Sequence, residues 1–232
     1  MLLSDLHTHT TFSHGKGSPQ DNVLAALRLG LKQVAICEHA SAHAFYGVRG
    51  ARLAQLKAEV DALKLKYAGQ IDVLFGLECN LTGFGKSDVP ADPEFCDVLA
   101  LGFHKGSVAA NWSGVRLALQ VMGIGRNPTY NADAIAACAR KTRLTFISHP
   151  SLYIPMDIAV LAEMSAELGV HLEINGSRVT LTERELRLAK SMGATFIINS
   201  DAHSPQRVGD VERAVRAARE ADVLDRVVNY SA

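Results

Sequence analysis

Seven histidines and two acids in this chain are spaced as metal ligands would be. His7-x-His9 stands near the start, in SDLHTHTTFSHG, with His14 in the same stretch. Glu38-His39, Glu78, His104, His149, Asp201 and His203 follow along the chain. Residues two apart on an extended segment point the same way, so His7 and His9 aim two imidazoles into one space, as Asp201 and His203 also do. The donors are imidazole nitrogen and carboxylate oxygen, with no thiolate. That set suits zinc, manganese or iron and is too rich in imidazole for magnesium. It exceeds what one ion needs, so two to three divalent ions are expected, with a carboxylate bridging at least one pair.

The elements that carry these residues are short apolar runs alternating with amphipathic stretches. The runs 2–6, 33–37, 71–77, 97–103, 144–148, 170–174 and 195–199 read as seven strands. Ser18-Pro19 opens a helix, as N-cap and first helical residue, that ends near Gly30. Residues 51–67 form a longer helix closed by Gly69, and Thr182-x-x-Glu185 is a capping box before another. Strand–helix alternation with continuously apolar strands predicts a parallel sheet buried on both faces. Without a GxGxxG fingerprint, seven such units favour an α/β, TIM-like barrel in a single domain over residues 1–232. Almost every candidate ligand then follows a strand, and in a parallel barrel those ends meet on one face. A lone histidine at a strand end is usually structural; the coincidence of so many points to a site.

Two histidines stand apart. His43 lies in a loop and is set aside as a ligand; His171, inside the sixth strand, reads as a satisfied barrel-interior residue. Glu173 and Asn175 share its face and are placed to orient ligands from behind. Residues 105–130, where glycines and a proline surround a helix-compatible stretch at 115–122, read as an extended loop or lid after the fourth strand, the alternative being a plain βα connection with an extra helix. Arg213, Arg216 and Arg219 are interleaved with acids and read as a solvated helix face.

Composition narrows the function. Lys+Arg and Asp+Glu are 24 each, which points away from duplex DNA as a partner. A small anionic substrate remains compatible, since metal ions supply positive charge locally. Cys37, Cys79, Cys96 and Cys138 form no CxxC pair and read as buried thiols. No basic leader and no membrane-length apolar run appear, so a cytoplasmic location is expected.

With these residues in hand, the sequence resembles the PHP (polymerase and histidinol phosphatase) superfamily of metal-dependent phosphoesterases. The resemblance rests on DLHTHTTFSHG at 5–15, Glu38-His39, the GLE ending at Glu78, GFHKG around His104, SHP around His149 and SDAH at 200–203. It implies a distorted seven-stranded (β/α) barrel with a trinuclear centre. One ion would take His7, His9, Glu78 and Asp201; a second would share Glu78 and add His104 and His149; a third would take His14, His39 and His203. The second motif reads Glu-His here where the family usually has Asp-His.

The chemistry expected of such a centre is hydrolysis of a small phosphomonoester: a nucleotide, a sugar phosphate or histidinol phosphate. A metal-bridging hydroxide would be the nucleophile. Glu78, Asp201 and His203 are the catalytic candidates: Glu78 as bridge, Asp201 as ligand and proton acceptor, His203 on the third ion, beside which the leaving alkoxide would be protonated. Lys105, Arg178 and Arg49 are candidates to hold the remaining phosphate oxygens. Trp112 and Tyr130 could stack on a base, which keeps a nucleotide substrate open; competing readings are a phosphodiesterase or 3'-5' exonuclease, a non-catalytic regulatory PHP module, and a hydrolase of C–N or lactone bonds.

Overall fold

A computed structural model describes residues 1–231. Strand β1 (Ser4–Thr8) leads to helix α1 (Pro19–Arg28), β2 (Gln33–His39), α2 (Gly50–Lys66), and a β3–β4 hairpin (Asp72–Gly83 and Lys86–Ser87). Then come β5 (Val98–Gly102), α3 (Trp112–Gln120), α4 (Pro128–Ala139) and β6 (Phe146–Ile147). The chain ends with α5 (Ile158–Leu168), β7 (His171–Asn175), α6 (Glu183–Ser191), β8 (Phe196–Asn199) and α7 (Glu212–Glu220). Seven strands pair in parallel in the order β1-β2-β3-β5-β6-β7-β8, and β4 adds antiparallel to β3. The sheet is a nearly closed barrel. Its seam is bridged by Thr8 beside Ala202, by His9 N–H to the Ala202 carbonyl at 2.7 Å, and by Leu6 N–H to Asn199 Oδ1 at 2.9 Å.

Local sequence sets the helix starts. Ser18 and Asp21 form a capping box at α1, with Pro19 opening the helix; Thr182 and Glu185 do the same at α6. Asn111, Asn127 and Asp157 cap α3, α4 and α5 with their side chains. Two apolar layers result. The larger lies between sheet and helices. The smaller fills the barrel itself with Leu6, Ala35, Cys37, Val98, Ala100, Phe146 and Ile197. Gly76 has no side chain because a Cβ there would lie 3.1 Å from Cys37 Sγ and 3.2 Å from Val98 Cβ, inside this filled space. All four cysteines are buried and unpaired with one another.

Three expectations change. Strands β1, β2 and β3 run two to six residues further than the apolar pattern indicates, so His7, Glu38, His39 and Glu78 lie within strands rather than after them. Polar side chains on the upper interior do not stop the backbone from completing its ladder. The 105–130 segment is not an extended lid: it contains α3 and the first turn of α4. Leu117 and Gln120 are buried, and Tyr130 packs between Phe84 and Arg116. Finally, His171 stands at the start of β7, half-buried at the opposite mouth of the barrel, with Nδ1 2.7 Å from Thr195 Oγ1. It is satisfied as expected, but not deep.

Candidate metal centre

Register assembles the site. β2 and β3 pair without a slip from Gln33 beside Asp72 to His39 beside Glu78, and β3 and β5 place Glu78 beside Ala100. Inward-facing positions on these strands are apolar low in the barrel and turn polar towards the strand ends. In β1 the pairing register slips between Asp5 and Thr8. A slip of this kind re-aims side chains. Leu6 joins the barrel core, and His7 also turns inward, its ring 5.7 Å from that of Phe146.

Glu78 is the hub. Its Oε1 lies 2.8 Å from His149 Nε2, 2.9 Å from His104 Nε2 and 3.3 Å from His7 Nε2. Its Oε2 lies 3.0 Å from His39 Nδ1 and 3.5 Å from His9 Nε2. Asp201 Oδ1 lies 3.4 Å from His9 Nε2 and 3.6 Å from His7 Nε2. His14 and His203 meet through their Nε2 atoms at 2.7 Å. All nine ligand candidates are therefore in one cluster. Three groups within it have ligand atoms all within 4.8 Å of one another: His7, His9 and Asp201; His39, Glu78 and His104; and His9, His14 and His39.

The donor set fits divalent ions. Nε2 of His7, both ring nitrogens of His9, Nδ1 of His14 and Nδ1 of His39 are buried without a hydrogen-bond partner. Buried polar atoms are normally paired, and four histidines clustered with unpaired ring nitrogens, each able to offer one lone pair, are what a metal cluster would satisfy. Electrostatics agree. Burial alone would raise the Glu78 carboxyl, but His104, His7 and His39 hold it well below the ordinary carboxylate range. Burial opposes charge on His9, yet Asp201, Glu38 and Glu78 raise it to about 9. His14 is lowered to about 3 by burial and by His9, His203 and His39. His39 is lowered to about 4 by burial, which outweighs Glu78.

A second layer fixes the ligands. Glu173 Oε1 lies 2.8 Å from His7 Nδ1, and its Oε2 accepts from the His149 backbone N–H at 2.8 Å. Asn175 Nδ2 donates to Glu173 at 3.0 Å and to Asp201 at 3.2 Å. Glu38 is fully buried; it accepts from Thr10 N–H at 2.8 Å and from the hydroxyls of Thr10 and Ser13, and sits 3.5 Å from His9 Nδ1. It thus ties down the loop that leads to His14. His149 (φ 27°) and Asp201 (φ 52°) both have left-handed backbones. Such strain costs roughly 1–3 kcal/mol and persists where surroundings over-determine it, as at functional sites.

The substrate candidates sit at the rim and all three are exposed. Lys105 Nζ lies 5.4 Å from the centre of the Tyr153 ring. Arg178 follows β7, its backbone held by Asn175 Oδ1 at 2.9 Å. Arg49 instead donates to the His43 carbonyl at 2.7 Å and anchors its own loop. His43, set aside from the ligands, is buried beside the cluster, 4.6 Å from the His39 ring, with Nδ1 accepting from Tyr46 N–H at 3.2 Å. Sequence reasoning missed Tyr46, stacked on His14 at 4.3 Å, and Tyr153, 6.1 Å from His149. It also missed Asn80, although strand alternation from Glu78 places it on the same face.

Comparison with known proteins now bears on this geometry. The family model described as "PHP domain" matches residues 5–226. The chain belongs to the PHP domain family. As a member it is a metal-dependent phosphoesterase. A protein of Shewanella pealeana named "Probable phosphatase" is 28% identical, over 99% of this chain and 89% of its own length. The Bacillus subtilis DNA polymerase/3'-5' exonuclease PolX is 26% identical over 94% of this chain, which covers 37% of that protein. The PHP fold is shared with histidinol phosphate phosphatase from Lactococcus lactis, solved with zinc, L-histidinol and phosphate (TM-score 0.63, 14% identity, covering 94% of this chain and 93% of that one). No helix among the described residues is long and apolar enough to cross a membrane.

Proposed function

We propose that this PHP-family enzyme is a phosphatase that hydrolyses a small phosphomonoester at a centre of two to three divalent ions, zinc, manganese or iron. The observation that carries this reading is the convergence on Glu78 of five imidazoles, His7 and His39 from within β1 and β2, and His9, His104 and His149 from just past the ends of β1, β5 and β6. When bound, clustered divalent ions acidify water and clamp phosphoryl oxygens for in-line attack. The ligand assignment is His7, His9, Glu78 and Asp201 for one ion; Glu78, His104 and His149 for a second; His14, His39 and His203 for a third. The tight groups seen here share His9 and His39 between them, and this supports one continuous cluster rather than separate sites.

The protein's own groups supply the rest. Glu173 holds His7 by Nδ1 so that Nε2 faces the cluster. Asp201, depressed by His7 and His9 despite burial, stays a carboxylate and takes the proton of the attacking water. Lys105, beside Tyr153, and Arg178, just past β7, neutralise phosphate oxygens that point away from the ions. The small phosphorylated substrate is a phosphomonoester with a compact leaving group, the kind seen in the Lactococcus lactis complex. Neutral net charge disfavours a long nucleic-acid strand.

The test is a screen of purified protein on phosphomonoesters, phosphodiesters and single-stranded DNA, after chelation and with zinc or manganese restored. Metal-dependent monoester hydrolysis is expected. Cleavage of diester or DNA without monoester would replace the reading with the exonuclease one, to which the likeness with PolX points.

A further inference from the structure

The β3–β4 hairpin is the one part of the sheet that the barrel does not need, and it brings a carboxylate next to the metal ligands. After Gly83 the chain turns back so that Ser87 pairs with Leu81, and Asp88 comes alongside Asn80. Asp88 Oδ1 accepts from the Asn80 backbone N–H at 2.6 Å. Its Oδ2 accepts from Asn80 Nδ2 at 2.8 Å and from the Ala42 backbone N–H at 2.5 Å. Every neighbour on the carboxylate is a donor.

That arrangement settles which way the buried Asn80 amide faces. With Nδ2 on Asp88, Oδ1 must point at His104, where it lies 2.9 Å from Nδ1 and 3.1 Å from the Ser107 hydroxyl, which donates to it. An amide oxygen only accepts, so His104 Nδ1 carries the hydrogen. Nε2, 2.9 Å from Glu78 and 3.2 Å from His149 Nε2, then keeps its lone pair for an ion. Turning the amide over would set its oxygen against the Asp88 carboxylate and its NH2 against His104 Nδ1. Nδ1 would then have to accept, and the hydrogen would move to Nε2, where it blocks ligation.

We propose that Asp88 is a positioning residue that fixes the side chain of Asn80 and, through it, the metal-binding tautomer of His104. Because the same carboxylate oxygen holds Ala42 N–H, Asp88 also ties the 42–48 loop, with His43 and Tyr46, to the second ion's ligand. The inference rests on reading His104 as a metal ligand.

The experiment is zinc titration of the chelated protein against a chromophoric competitor, with thermal melting of the metal-free form to verify folding. Asp88→Asn is expected to weaken one zinc equivalent by about tenfold or more, within the range seen when groups behind a ligand are altered, and to leave the others unchanged. The exchanged pair Asn80→Asp with Asp88→Asn restores an acceptor facing His104 and is expected to recover most of that loss. A role in holding the hairpin or loop alone would not be rescued by moving the carboxylate. Folded Asp88→Asn with wild-type affinity at every equivalent, or a folded exchanged pair with no recovery, overturns the proposal. Should Asp88→Asn fail to fold, Asn80→Ala decides: a folded protein that holds all its zinc as tightly as wild type overturns it as well. Wild-type protein that binds no zinc would instead overturn the metal-centre reading itself.

Discussion

The Nε2 atoms of His14 and His203 face each other at 2.7 Å although 189 residues separate them. His203 Nδ1 lies 2.9 Å from the Asp201 carbonyl, which can only accept, so its hydrogen is at Nδ1 and its Nε2 is free. Both imidazoles are lowered, chiefly by burial, and are neutral at physiological pH. They form an open corner of the cluster, nearer to solvent than Glu78. Replacing either with alanine should remove one ion and leave the ions around Glu78 in place. Metal analysis of His14→Ala and His203→Ala after dialysis is the check; loss of every ion from either variant would show that the cluster is not divisible in this way.

Proton competition gives a pH signature. His9 is raised to about 9 by Asp201, Glu38 and Glu78 against its burial, and His7 is raised well above its ordinary value by Glu173, Glu78 and Asp201, again against burial. A histidine raised on folding stabilises the fold fully below its unfolded value of about 6.5, and that contribution is lost as pH rises through the folded value. The chelated protein should therefore lose melting temperature between pH 6.5 and about 9 through His9. Over the same window zinc should bind more tightly, because fewer protons must leave. Melting curves with chelator and with zinc, across that range, should diverge as pH rises; parallel curves would count against these protonation states.

Glu173 is buried with its oxygens committed to His7 Nδ1, the His149 backbone N–H, Asn175 and Asn199. Glu173→Gln keeps the shape but puts an NH2 where one of these donors points. Metal affinity should fall by roughly 10–100-fold. Zinc competition measures it, and an unchanged affinity would reduce Glu173 to a packing residue.

Much of this was legible from residue order alone. The nine ligand candidates, the seven parallel strands, the Ser18 N-cap and the capping box at Thr182 follow from spacing and residue type, because register in a parallel barrel brings strand ends together whatever lies between. Strand ends were not legible at Thr8, His39 and Gly83: hydropathy falls where the barrel lining turns polar, while the backbone ladder continues. The inward turn of His7 depends on a register slip that no alternation rule reveals. Asp88 and Tyr153 reach the site through a hairpin and a loop whose paths only the folded chain defines. The 105–130 segment looked loop-like because of its glycines, yet Asn111 and Asn127 cap two helices there.

Gly102 tests the packing beneath the ligands. A Cβ at this position would overlap the Ser148 hydroxyl and lie 3.3 Å from His149 Cε1 and 3.4 Å from His104 Cε1. Gly102→Ala should spread the two imidazoles, weaken metal binding at Glu78 and lower kcat more than KM for a monoester. Overpacking of this kind also costs about 1–3 kcal/mol of stability. Wild-type kcat with a lowered melting temperature would mean that the strain is absorbed away from the ligands.

The number of ions held by the saturated protein bears most directly on the whole reading. Metal analysis of purified protein, loaded with zinc or manganese and freed of excess, should give two to three equivalents per chain. The same analysis on Glu78→Ala should give at most one, since one oxygen of that carboxylate faces His104 and His149 of one proposed ion and the other faces His9 of another. Fewer than two equivalents on the wild-type chain, or an undiminished count without Glu78, would contradict a multinuclear centre built on Glu78.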